Sequence, residues 1–130
     1  MRNTSLISVV EDDPFFRESM RRLMRSLGYS VVVFASAADF LAFPRLEETT
    51  CLIADIHMPA MSGVELYTRL LDTGCAVPTI LVTGYPDDAV RVRAQNSGTI
   101  RYLCKPLNVA YLVRCIRSVV EGGNLPEEDS

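Results

Sequence analysis

Five short apolar runs alternate with helical patterns along the chain, and this alternation constrains the fold more than any other feature. The runs cover residues 6–10, 31–34, 51–54, 79–82 and 100–104. Runs of this length that are apolar on both faces are typical of strands covered on both sides of a parallel sheet. Since helical patterns separate them, the sequence predicts one α/β domain with a doubly wound, five-stranded parallel sheet, a flavodoxin-like (βα)5 fold.

Start and stop signals delimit the connecting helices. Asp13 and Pro14 form a cap followed by proline at the first helical position, and Gly28 ends that helix. Ser36 and Asp39 predict a capping box for a short second helix. The remaining helices are predicted through Leu66, Leu70 and Leu71, from Asp87 to Asn96, and through Leu112, Cys115, Ile116 and Val119.

Composition excludes several classes of protein. The chain has 130 residues, 48% of them hydrophobic and 22% charged, which is ordinary for a globular domain and excludes an intrinsically disordered chain. The formal net charge of −3 argues against direct nucleic-acid binding. We find neither an apolar stretch long enough to span a membrane nor a signal peptide, so we expect a cytoplasmic location.

Polar residues stand where four of the five strands end. Glu11, Asp12 and Asp13 follow the first strand, Asp55 ends the third, Thr83 ends the fourth and Lys105 follows the fifth. Ligands of open α/β sheets bind at this edge, and clustered carboxylates suit Mg²⁺. Lys105 is the only lysine among 13 basic residues, which supports a specific need for a compact ammonium group there. These residues together predict a site for a phosphoryl group.

Four motifs in this order resemble those of a CheY-like response-regulator receiver domain, over roughly residues 5–121. They are Val9-Val10-Glu11-Asp12-Asp13-Pro14, Asp55-Ile56-His57-Met58-Pro59-Ala60-Met61-Ser62-Gly63, Val82-Thr83-Gly84 and Tyr102-Leu103-Cys104-Lys105-Pro106. Each motif alone is weakly specific, and the four together are highly specific. The Thr-Gly pair is most similar to that of FixJ-like receivers.

The resemblance implies a role for each matching residue. Asp55 would accept a phosphoryl group from a phosphohistidine. Mg²⁺, or Mn²⁺, would be held by Asp12 and Asp55, by Glu11 through water, and by the backbone carbonyl of His57. Thr83 and Lys105 would hold the phosphoryl oxygens, Tyr102 would turn inward as a switch when Thr83 moves, and Pro106 would follow a cis peptide bond.

Two departures from the family pattern concern the same site. Glu11 stands where the family more often has aspartate, so its longer side chain would alter the water shell of the metal. His57 and Tyr85 are bulky residues at the two positions that flank the approach of the phosphoryl group. We expect them to shield the acyl phosphate from water and so to change its lifetime.

The resemblance also implies partners and sets the competing functions. The phosphodonor would be a sensor histidine kinase or a histidine phosphotransfer protein. Arg17, Arg21, Arg22 and Arg25 form a strip on the first helix, interpreted first as a solvated face paired with Glu18 and second as a kinase-docking surface. The output would be binding of a downstream protein or self-dimerisation through a face that includes Arg93, Arg101 and Tyr111.

Residues 1–121 are predicted to form the receiver domain and residues 122–130 an acidic polar tail. No membrane contact and no direct nucleic-acid binding are expected. We expect a phosphoacceptor switch rather than an enzyme, with at most slow self-phosphorylation and self-dephosphorylation. One alternative is the regulatory half of a DNA-binding transcription factor. A phosphatase that uses an aspartyl-phosphate intermediate is a distant alternative. Such enzymes need a second acid two residues after the nucleophile, and this chain has His57 there.

Overall fold

The computed structural model describes residues 5–85, 89 and 100–122. Its five strands form one parallel sheet in the order β2-β1-β3-β4-β5. They are β1 (Leu6–Val10), β2 (Ser30–Phe34), β3 (Thr49–Asp55), β4 (Thr79–Thr83) and β5 (Ile100–Cys104). The helices are α1 (Pro14–Ser26), α2 (Ala37–Leu41), α3 (Gly63–Asp72) and α4 (Val109–Val120), with a 3₁₀ helix at Leu46–Glu48. The predicted doubly wound fold is confirmed.

Two apolar layers cover the two faces of the sheet. Alternate residues along β3 separate them, because Ile53 faces one layer whereas Leu52 and Ala54 face the other. The first layer contains side chains of α1 and α4, among them Met20, Met24, Leu112, Cys115 and Ile116. The second contains side chains of α2 and α3, among them Phe40, Leu66, Tyr67 and Leu70. Close packing on both faces holds the strand ends in fixed positions.

The ends of α1 agree with the sequence prediction. The Asp13 side chain accepts a hydrogen bond from the backbone N–H of Phe15 at 3.0 Å, and Pro14 is the first helical residue. Gly28 follows the helix with a φ of +89°, a left-handed conformation that favours glycine. The helix therefore begins directly beside Glu11 and Asp12.

Several details differ from the sequence prediction. β3 begins two residues earlier because the hydroxyls of Thr49 and Ser8, 2.8 Å apart, satisfy each other inside the sheet. Leu71 is 45% exposed, since a helical step of one residue turns it away from the face that buries Leu70. The predicted helix over 87–96 lies outside the described residues, apart from Ala89.

The proposed output face also needs a correction. Tyr111 is only 5% exposed and packs into the first apolar layer, so it cannot be part of an exposed face in this conformation. It lies one helical turn before Cys115 on the buried side of α4. Arg93 lies outside the described residues, and Arg101 is half-buried.

Over the part of the chain that the structure describes, we find no helix both long and apolar enough to cross a membrane.

Candidate functional site

The carboxyl ends of the strands bring the predicted residues to one edge of the sheet. β1 and β3 are neighbours, so Glu11 and Asp12 lie beside Asp55. One carboxylate oxygen from each of these three residues lies within 4.8 Å of the other two. Residues separated by more than 40 positions in the sequence thus form a single acidic cluster.

Glu11 is the most buried member of the cluster, with only 1% of its surface exposed. Its backbone N–H donates to Phe34 O at 3.0 Å, and its Oε2 accepts from the backbone N–H of Asp13 at 3.1 Å. Burial, and then the neighbouring Asp55 carboxylate, raise the pKa of Glu11, while hydrogen bonds from Lys105 and Asp13 oppose this effect. Burial beside a second carboxylate therefore disfavours the charged form of Glu11.

Lys105 brings a positive charge to this cluster. Its backbone N–H donates to Thr83 O at 2.7 Å, and its peptide bond to Pro106 is cis, as the resemblance implied. Its Nζ lies 2.9 Å from Glu11 Oε1 and 3.6 Å from Asp55 Oδ2. Desolvation alone would lower the pKa of Lys105, but the hydrogen bond and charge of Glu11, with the charge of Asp55, raise it overall. The ammonium group thus stays protonated while it bridges two carboxylates.

Asp55 is buried at the carboxyl edge of the sheet, and its carboxylate is held by a backbone hydrogen bond. It is 7% exposed, and its Oδ1 accepts a hydrogen bond from the backbone N–H of His57 at 3.2 Å. The next residue, Ile56, donates to Val82 O at 2.9 Å and accepts from the N–H of Gly63 at 3.1 Å. A Cβ at Gly63 would lie 2.5 Å from the carbonyl oxygen of Asp55, so only glycine fits there without displacing the backbone.

Thr83 and Tyr102 are both buried. The Thr83 hydroxyl accepts from the backbone N–H of Tyr85 at 2.9 Å and donates to the carbonyl oxygen of Tyr85 at 3.1 Å. Tyr102 is 3% exposed and packs in the second apolar layer. Its side chain therefore already occupies an inward position in this conformation, with Thr83 bonded to its own loop.

The two bulky residues that flank Asp55 and Thr83 contact each other. The His57 and Tyr85 rings meet edge to face, with centroids 5.5 Å apart and planes at 85°. Tyr85 is nonetheless 75% exposed, and His57 is also exposed. The sequence predicted both residues at the rim but could not predict their contact, because it links the loops after β3 and β4.

Two residues of α1 make contacts at the site that the sequence did not predict. Arg17, interpreted as part of a solvated strip, donates to the carbonyl oxygen of Glu11 at 2.8 Å and fixes the acidic loop. The ring centroid of Phe16 lies 4.2 Å from Lys105 Nζ. Arg21 and Arg22 do pair with Glu18, as predicted, and the short contact with Arg21 lowers the Glu18 pKa to about 2.

The acidic cluster has the chemistry of a site for a hard cation. Burial and the neighbouring Glu11 raise the pKa of Asp12, as burial and Asp55 raise that of Glu11. Carboxylates crowded to this degree are stabilised by a divalent cation with oxygen ligands, which is the preference of Mg²⁺. The donor set therefore fits the metal that the sequence predicts.

Comparisons with known proteins agree with this geometry. A family model described as the response regulator receiver domain matches residues 7–117. Nodulation protein W of Bradyrhizobium diazoefficiens is 34% identical over 117 residues, which are 90% of this chain and 52% of that protein. The transcriptional regulatory protein FixJ of Rhizobium meliloti is 31% identical over 88% of this chain and 56% of its own length. The chain thus spans about half the length of these curated relatives.

Solved structures give the same result. The crystal structure of FixJ-N superimposes with a TM-score of 0.78 at 31% identity, covering 90% of this chain and 94% of that one. The response regulator StyR gives a TM-score of 0.77 at 36% identity, covering 92% of this chain and 59% of that one. Receiver domains of this family are phosphoacceptor switches that generally bind Mg²⁺ in an acidic pocket and take phosphate from sensor kinases. The chain belongs to the response regulator receiver domains of two-component systems.

Proposed function

We propose that Asp55 is the phosphoacceptor of this receiver domain and that Glu11, Asp12, Thr83 and Lys105 complete its site. The observation that carries the proposal is the acidic cluster with Lys105 Nζ 2.9 Å from Glu11 and 3.6 Å from Asp55. Carboxylates for a cation, a carboxylate that can accept the phosphoryl group and an ammonium group for phosphoryl oxygens are the parts that phosphoryl transfer needs.

In the reaction, a carboxylate oxygen of Asp55 attacks the phosphorus of a phosphohistidine on a sensor kinase or a histidine phosphotransfer protein. The new bond joins Asp55 to phosphorus, while the phosphorus–nitrogen bond breaks and its electron pair returns to the imidazole. A bound Mg²⁺ or Mn²⁺ ion would neutralise negative charge on the phosphoryl oxygens. Lys105 adds a second positive charge there, and the Thr83 hydroxyl adds a hydrogen-bond donor once it leaves Tyr85 O.

We propose that Glu11, Asp12 and Asp55 hold this cation, together with the His57 backbone carbonyl. The resemblance implies that Glu11, which is buried and accepts from Asp13 N–H, would act on the cation through a water molecule. Of the two departures from the family pattern, Glu11 gives Lys105 a closer carboxylate than Asp55 does. The contacting rings of His57 and Tyr85 shield the phosphorylated aspartate from water.

We propose that the signal passes through Thr83 and Tyr102 to a partner protein or a second copy of the chain. Phosphorylation adds about 1.5 to 2 negative charges at one point, which favours the Thr83 hydroxyl turning from Tyr85 toward Asp55. Tyr102 is buried before this change, so its role is to keep the inward position that the rearranged loop requires. We assign residues 1–121 to this switch, acting in the cytoplasm, and 122–130 to the tail.

The experiment is intact-mass measurement after incubation with Mg²⁺ and a small phosphodonor such as acetyl phosphate or phosphoramidate. The wild type gains one phosphoryl group, and Asp55→Asn and metal-free samples gain none. Asp13→Asn is the matched control, because asparagine keeps the helix cap and Asp13 is outside the acidic cluster. An adduct on Asp55→Asn, or one that forms equally well with excess chelator, would refute the assignment.

A second candidate role is regulation of a DNA-binding region in a longer polypeptide. It is favoured by one observation, that relatives such as the transcriptional regulatory protein FixJ are nearly twice the length that this chain covers. An antibody raised against this chain would detect a polypeptide clearly larger than 14.4 kDa in the source cells. A native band at 14.4 kDa would contradict this role and leave the phosphoacceptor proposal intact.

A further inference from the structure

The ammonium group of Lys105 has a third neighbour besides its two carboxylates. The centroid of the Phe16 ring lies 4.2 Å from Nζ, within the range of a cation–π interaction. Glu11 Oε1 lies closer, at 2.9 Å, and Asp55 Oδ2 lies at 3.6 Å. The lysine is therefore held by two negative charges and by one uncharged aromatic face.

The ring of Phe16 is itself fixed in place. Phe16 lies in the first turn of α1, whose start is set by the Asp13 cap and by Pro14. It is partly buried and packs against the first apolar layer. Its neighbour Phe15, in the same helical turn, is 84% exposed. One of two adjacent phenylalanines is thus anchored under the lysine, while the other extends into solvent.

The three contacts of Lys105 differ in what happens to them during the proposed reaction. Glu11 and Asp55 are also the carboxylates assigned to the divalent cation, and an oxygen of Asp55 forms the new bond to phosphorus. Their attraction for the Lys105 ammonium group weakens when they bind the cation or when Asp55 is phosphorylated. An aromatic face attracts an ammonium group through its quadrupole and competes for neither the cation nor the phosphoryl group. The lysine side chain is otherwise flexible, with about four rotatable bonds to immobilise.

We propose that Phe16 is a positioning residue, whose ring holds the Lys105 ammonium at the rim of the site so that it meets the incoming phosphoryl oxygens. This inference rests on the proposed function, because it needs Lys105 to act on the phosphoryl group. In this role Phe16 contacts neither the divalent metal ion nor the phosphoryl group, and it acts only through the Lys105 ammonium group.

The first measurement uses the metal-free protein and no phosphodonor. Because Lys105 is the only lysine, protein grown with ¹³C,¹⁵N-lysine gives one set of Cε–Hε resonances. Aromatic ring currents shift these resonances in the wild type. Phe16→Leu moves them toward the random-coil position, Phe16→Tyr keeps them, and Phe15→Leu, the matched control, leaves them unchanged. Unchanged resonances in Phe16→Leu would overturn the contact and the proposal with it.

The second measurement is the rate constant of phosphorylation at saturating Mg²⁺ and donor. Phe16→Leu slows it by roughly threefold to thirtyfold, the range of one cation–π contact. Phe16→Tyr restores it, and the Mg²⁺ affinity changes little, since no metal ligand is altered. If Phe16→Leu is unfolded at the assay temperature, Phe16→Met replaces it in both measurements.

The two measurements separate the possible failures. A shifted lysine resonance with a wild-type rate in Phe16→Leu overturns the positioning role alone. Equal slowing in Phe16→Leu and Phe16→Tyr also overturns it, because packing and not the aromatic face would then be responsible. A wild type that takes up no phosphoryl group overturns the proposed function, and the role of Phe16 falls with it even where the resonances establish the contact.

Discussion

Replacement of Gly63 by alanine tests whether the phosphoacceptor depends on a close approach of α3. The added Cβ would lie 2.5 Å from Asp55 O, 3.1 Å from its carbonyl carbon and 3.2 Å from Ile56 Cα. All three are backbone atoms, so no side chain can rotate away. An ordinary contact begins at 3.4 Å, and the Asp55 backbone and the helix must therefore separate by about 1 Å.

The expected losses follow from this displacement. Overpacking of this kind costs about 1–3 kcal/mol. At about 4 °C per kcal/mol for a domain of this size, the melting temperature falls by roughly 4–12 °C. A misplacement of about 1 Å at a reacting group slows the reaction on the order of a hundredfold. Gly63→Ala should therefore lose both stability and phosphorylation rate, measured by thermal unfolding and by intact mass over time.

Gly74→Ala is the control that separates these two losses. Gly74 has a φ of +80° and open space around its Cα, so alanine adds strain of about 1–2 kcal/mol far from the site. It should lower the melting temperature while leaving the phosphorylation rate of the folded protein unchanged. A Gly63→Ala protein with wild-type rate and melting temperature would refute the reasoning, and equal slowing in both variants would attribute the effect to instability.

Three further perturbations test the charge balance and the backbone of the site. Lys105→Ala removes the positive charge beside the buried Glu11 and should lower the free energy of unfolding by about 3 kcal/mol, with partial recovery in Mg²⁺. Urea unfolding that shows no loss would contradict the pairing. Mg²⁺ at 100 times its dissociation constant should raise the free energy of unfolding of the wild type by about 2.7 kcal/mol, and Asp12→Asn should abolish most of this gain. A gain of equal size from NaCl of the same ionic strength would argue against a specific site. Ala60, with a φ of +68°, is strained, so Ala60→Gly should stabilise the protein by about 1 kcal/mol in the same assay, and a destabilised variant would contradict that strain.

The strand ends could be predicted from sequence because they follow from the short apolar runs and from their alternation with helical patterns. Parallel strands end at the same edge of a sheet, so the sequence predicts that Asp55, Thr83 and Lys105 lie together. The start of α1 was equally readable, since Asp13 and Pro14 act locally. These features depend on residue type and position along one segment.

Contacts between segments could not be predicted in the same way. The ring of Phe16 and the guanidinium of Arg17 sit on α1 at positions that also suit a core residue and a solvated charge. Their actual partners depend on the angle at which α1 packs against the sheet. A signal for Tyr111 was likewise missed, although it lies four residues before Cys115 and could have been assigned to the buried face.

The ion pair between Glu11 and Lys105 joins residues 94 positions apart, and this separation has a consequence for synthesis on the ribosome. The acidic loop emerges early, with β1, but its counter-charge emerges only after β5. Until then Glu11 and Asp55 have no lysine to neutralise them, and the sheet lacks its last strand. A nascent chain that ends before Lys105 therefore lacks one part of the site proposed here. If Asp55 accepts a phosphoryl group as proposed, competence to receive it would appear only after Lys105 has been synthesised.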